Sequence, residues 1–280
     1  MRTQLEVLMF RTSNPVLSSQ AFQSGGQGLS DPFASGMEAS REGTMTVQGV
    51  VNKSFFLIGL TAAAAVSTWH FITNKTISPA IPLVGGSLAA FVLSLVMIFA
   101  PRTTPWLAWV YALVKGPALA GISFVLAGVL EAKLAAKGQV ATGAGLTLVF
   151  QAVFLTFGIF IALLLAYTTR IIRLSGAWKR GIIAATLGLC LFYLASFVLG
   201  LFGVNIGFIY DSGPIGIGFS ALVVVLAAAN LVLDFQNIEE TAQAGAPKWM
   251  EWFGALGLLM TLAWLYIEVL RLLLKLKDQK

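Results

Sequence analysis

Apolar positions along this chain gather into seven long runs, near 54–73, 81–100, 106–130, 144–168, 182–203, 215–236 and 254–276. A helix needs about 20 apolar residues to cross a hydrocarbon core about 30 Å thick, and each run is long enough. No stretch alternates apolar and polar residues as a half-buried strand would. Pro and Gly punctuate the short connections: Pro79 and Pro82, Pro101 and Pro105, Gly138, Gly176, Gly213 with Pro214, Gly245 and Pro247. The pattern predicts an all-α membrane protein with seven transmembrane helices. Small residues inside the third run, Gly116, Ala120 and Gly121, permit close helix packing. Pro117 in the same run predicts a kink.

Residues 1–50 differ. They are polar and rich in Gly, Ser and Gln, as in SSQAFQSGGQGLSDPFASG, a composition that buries no core. The expected organisation is a disordered cytoplasmic tail over 1–50 and a transmembrane domain over 51–280. The tail lacks the basic start and apolar stretch of a signal peptide. The stretch TMTVQGVVNKSFF is expected to run along the interface into the first helix.

Composition agrees with the pattern. Charged residues make up 11% of the 280 residues and hydrophobic ones 58%, with a mean hydropathy of +0.85. Soluble domains carry about 25% charged residues. The net charge of +6 sits in loops and at chain ends, which in a membrane protein reports topology rather than nucleic-acid binding. Arg170, Arg173, Lys179 and Arg180 place the loop after the fourth helix in the cytoplasm. Seven spans then put the N-terminus inside, in the cell membrane. Ten basic residues fall inside and seven outside, Arg271, Lys275, Lys277 and Lys280 among the latter. That basic C-terminus opposes an outside location, so a last helix that crosses only in part stays open.

Few residues offer chemistry. The single histidine, His70, follows Trp69 at the end of the first run and reads as an interfacial anchor. The single cysteine, Cys190, makes no internal disulfide and reads as a small packing residue. No nucleophile–base pair and no metal cluster emerges, which argues against an enzyme and against a resident cofactor.

Asp234 and Glu268 stand out. Each is an acid inside an apolar segment, where a charged carboxylate costs about 2.5–3.5 kcal/mol at the bilayer centre. Asn230 lies on the same helical face as Asp234, and Arg271 follows Glu268 at i+3. Glu268 reads either as the local partner of Arg271 or as one half of a pair with Asp234. Two close carboxylates in a low dielectric share a proton, and such a pair attracts a hard cation such as calcium. With a turn at Gly245 and Pro247, Glu268 lies roughly 14 Å deeper than Asp234. The pair then requires the KWMEWFG segment to lie flat at the interface. Arg102 is expected on the same side as the end of the sixth helix, either as a latch on Asp234 or as a topology residue. Lys115, inside the third helix, is expected to snorkel or to pair with a buried acid. Glu239, Glu240 and Glu251 read as a solvated acidic rim, and Glu131, Lys133 and Lys137 as a solvated loop.

The segments RTSNPVL, YALVKGPALAGIS, LVLDFQNIEE and GAPKWMEWFGALGLLMTLAWLYIEVLRLL resemble the bacterial branch of the Bax inhibitor-1/YccA family, the TMBIM-type membrane proteins. The resemblance runs over essentially the whole chain. It implies a fold with the last helix at the centre of the other six. It also implies a pH-sensitive calcium leak, gated by acids of helices six and seven at Asp234 and Glu268, with Arg102 loosely matching a latch. Glu268 departs from the aspartate common in relatives, and Lys115 stands where an acid is expected. The implied partners are the lipid bilayer, protons and calcium as permeant ion. A non-conducting scaffold or stress-response regulator and a proton-coupled exporter of small solutes remain the alternatives.

Overall fold

The computed structural model describes residues 43–139, 142–172, 174–203 and 211–279. The expected disordered tail lies outside these residues up to position 42. The described residues form seven long helices: α1 (Val47–Thr73), α2 (Gly86–Phe99), α3 (Thr104–Ala136), α4 (Ala144–Thr168), α5 (Gly176–Leu201), α6 (Pro214–Gln243) and α7 (Met250–Asp278). All seven spans are long and apolar enough to cross a membrane, and no strand occurs among the described residues. This is a multi-pass membrane protein.

The helices outrun the apolar runs at several ends. α3 begins at Thr104 and continues to Ala136, where 106–130 was expected. α6 continues to Gln243, past 236. These end turns are amphipathic, so hydropathy alone does not mark them. α1 starts within the segment assigned to the tail: Thr46 caps it, its hydroxyl accepting from the Gly49 amide at 3.0 Å. Just before it, Met45 donates its amide to the Ala246 carbonyl at 2.7 Å. α2 is preceded by a wide helical turn at Ile81–Gly85. α3 runs through Pro117 as one helix.

α7 is the axis of the bundle. In its most apolar window 56% of residues are buried, against 39% for α3 and α6 and 6% for α5. α6, α1, α3 and α4 pack on it, whereas α5 packs on α6 and α2 on α3. α1 and α3 approach closely because Gly116 faces the α1 backbone. A Cβ there would stand 2.4 Å from the Thr61 carbonyl oxygen, a spacing only glycine allows.

α7 also runs the full length of the bundle. Its last turn meets the far end of α3: Lys133 pairs with Asp278, and Lys137 lies 3.5 Å from the same carboxylate. Ser212, just before α6, donates to Asp278 as well. Lys133 and Lys137 are therefore ion-pair partners rather than parts of a purely solvated loop. α7 is also long and apolar enough to cross a membrane.

Candidate functional site

α6 and α7 run antiparallel, joined by a tight turn in which Gly245 takes a positive φ of 72°. The direct turn fixes their register. Met250 opens a continuous helix, so KWMEWFG forms no separate flat segment. Asp234 sits nine residues before the end of α6, about 14 Å along the axis. Its carboxyl lies beside the Thr261 hydroxyl of α7. Oδ2 of Asp234 is buried and has no hydrogen-bond partner among the described residues. An orphaned buried acceptor is uncommon in a folded protein and calls for an explanation.

Glu268 is seven residues beyond Thr261, about 10 Å further along α7. It is 3% exposed. Its ion-pair partner is Arg271, whose Nη1 lies 3.4 Å from Oε1. The two acids thus line the same helix pair at different depths and do not meet in this arrangement. The local Glu268–Arg271 reading describes the contact that is made. One calcium ion cannot bridge the pair here, because it needs carboxylate oxygens at about 2.3–2.6 Å. No group of three or more His, Cys, Asp or Glu side chains assembles among the described residues.

The other expected network residues take separate positions. Asn230 faces α5: its Nδ2 donates to Thr186 Oγ1 and to the Leu226 carbonyl, both at 2.8 Å. Arg102 lies in a short turn, Pro101–Thr103, at the α2–α3 corner. It is exposed and makes no ion pair or hydrogen bond with a described residue. The latch on Asp234 is not made, since Asp234 lies too far inside the helix for a corner residue. Lys115, eleven residues into α3, is partly buried and forms no ion pair with any described acid. Cys190 is exposed on α5 rather than packed. His70, exposed near the end of α1, shares a hydrogen bond with Asn74.

The residue that sequence reasoning missed is Glu251. Expected in a solvated rim, it is fully buried at 0% exposure. Its carboxylate accepts from the Thr46 amide at 3.0 Å and the Thr46 hydroxyl at 2.9 Å, and pairs with Lys53. Lys248 lies 3.4 Å away. The carboxylate therefore ties the N-terminus of α1 to the first turn of the central helix. Gly49 makes room for it: a Cβ there would lie 2.2 Å from Oε1. Lys53 also sits over the Trp252 ring at 5.3 Å, and Trp109 stacks near Trp252. Thr46 as a cap with Gly49 and Lys53 on the same helix was a legible signal, but its partner lies about 200 residues away. Glu240 and Glu239 are engaged too, by Lys179 at 2.6 Å and by Tyr167.

A protein-family model described as "Bax inhibitor 1 like" matches residues 14–278 of the chain. No curated protein matches it, and no solved structure matches it.

Proposed function

We propose that this chain, which belongs to the Bax inhibitor 1 like family, is a proton-sensitive cation leak with calcium as the favoured cargo. One observation carries the reading: the interior carboxyl of Asp234 keeps an oxygen with no hydrogen-bond partner among the described residues. A charged carboxylate at such depth costs about 2.5–3.5 kcal/mol, and a protonated one avoids that cost. The closed bundle therefore favours neutral Asp234. Ionisation favours any rearrangement that brings water or a cation to it. Carboxylate oxygen is also the ligand that hard cations prefer. Low pH then closes the leak and rising pH opens it.

Glu268 stands about 10 Å further along α7 as the next acid a cation meets. Asp234 and Glu268 act in series, not as a single proton-sharing pair in the closed state. The face carrying Thr46, Glu251 and the turn after α6 lies in the cytoplasm, in keeping with the basic residues Arg170, Lys179 and Arg180 at the same level of the bundle.

Purified protein in liposomes loaded with a calcium indicator tests this. Calcium influx is expected to rise between about pH 5 and pH 8 and to exceed that of empty liposomes. Influx indistinguishable from empty liposomes at every pH overturns the reading and favours a non-conducting scaffold.

A further inference from the structure

α1 and α4 both pack on α7 but scarcely touch one another. Between them runs a groove in two linked parts. The part near the α4–α5 loop encloses about 470 Å³, with Phe55, Leu164 and Leu258 among its walls. The part toward the opposite end encloses about 380 Å³, with Phe150 and Leu262 among its walls. Ile58 borders both. Volumes of this size hold ligands in other proteins. The lips are open: Phe55 is 58% exposed, Val66 71% and Phe150 55%. The central helix is thus reached from the bilayer along much of its length.

The groove is mostly apolar, and its end near the α4–α5 loop carries Arg170 and Glu239. Arg170 lines that end, is exposed, and forms no ion pair with a described residue. It takes a positive φ of 61° just past the end of α4, where its amide donates to the Tyr167 carbonyl and closes the helix. The acid nearby, Glu239, is occupied by the Tyr167 hydroxyl and by Gln243 Nε2. An apolar channel at acyl-chain depth with one free guanidinium at headgroup level matches one chemistry, a chain carrying a phosphate.

We propose that the groove between α1 and α4 binds an acyl chain of an anionic phospholipid, with its phosphate on Arg170. The bound chain lies against α7 at Leu258 and Leu262. This does not depend on ion conduction, and its test does not measure flux.

The test uses the full chain in vesicles of phosphatidylcholine containing a phosphatidylglycerol probe with a photoactivatable acyl chain, and maps the labelled residues by mass spectrometry. Labelling is expected to concentrate on groove residues such as Phe55, Ile58 and Leu164 over the exposed α5 residues Leu187 and Leu191. It should fall about fivefold in Arg170→Gln, the share of one surface cation in binding an anionic lipid, and recover in Arg170→Lys. A phosphatidylcholine probe should label the groove less, and soluble glycerol phosphate should not compete. Equal labelling of the groove and α5 by the unmutated protein overturns the proposal, as does equal labelling by both probes. Full competition by glycerol phosphate would mean a headgroup site only and overturns it too. The labelling ratio in the unmutated protein decides even if a variant fails to fold.

Discussion

Lys53→Met should destabilise this protein more than Glu251→Gln, although both break the same ion pair. The asymmetry comes from burial. The Lys53 side chain is 22% exposed and Glu251 is 0% exposed. Removing the lysine leaves a buried carboxylate with the two Thr46 hydrogen bonds and Lys248 at 3.4 Å. Breaking a buried pair in this way costs about 3–5 kcal/mol, and the lower figure applies here because Lys53 and Lys248 both reach water. Glu251→Gln keeps an acceptor for Thr46 and frees a lysine that turns outward, so its loss is about 1 kcal/mol, that of a weakened hydrogen bond. Thermal unfolding followed by tryptophan fluorescence in one detergent reads both. At about 2–4 °C per kcal/mol for a chain of this size, Lys53→Met should lower Tm by about 6–12 °C and Glu251→Gln by about 2–4 °C. The double variant should resemble Glu251→Gln alone, because the charge left stranded by the first change is gone. Equal single effects that add in the double variant would refute the reasoning.

Other expectations follow from particular contacts. Gly116→Val should push α1 from α3 and abolish a monodisperse folded species in size-exclusion chromatography, whereas Gly59→Ala, which faces open space, should behave as the unmutated protein. Asn230→Leu and Thr186→Val should each cost about 0.6 kcal/mol, as typical hydrogen bonds between membrane helices do, and together little more. That is read as protease sensitivity of the α4–α5 loop. Ala177→Cys in a Cys190→Ser background should react with an impermeant thiol reagent only from the cytoplasmic side, and reaction from outside would invert the orientation.

The seven helices were legible because a bilayer demands long apolar runs, and nothing else in the chain imitates them. Helix ends were not, since overhanging turns such as Glu131–Ala136 lie beyond the apolar window. That Asp234 and Glu268 lie inside helices was legible from their apolar surroundings, where an acid is costly. Their separation depended on where α7 begins. That depends on Gly245 making a compact turn and on Glu251 being drawn inward by Thr46 and Lys53. Hydropathy reads Glu251 as surface because it cannot see a partner 198 residues away. Arg102 failed as a latch because depth along α6, not side of the membrane, decides what reaches Asp234.

The most direct test of the proposed leak compares calcium influx against pH for the unmutated protein, Asp234→Asn and Glu268→Gln in the same liposomes. Asp234→Asn fixes the neutral form and should flatten the pH dependence at the low, closed level. Glu268→Gln should lower the flux yet keep its rise with pH, since Glu268 lies about 10 Å beyond the contact of Asp234 with Thr261. A pH dependence unchanged in Asp234→Asn would contradict the account.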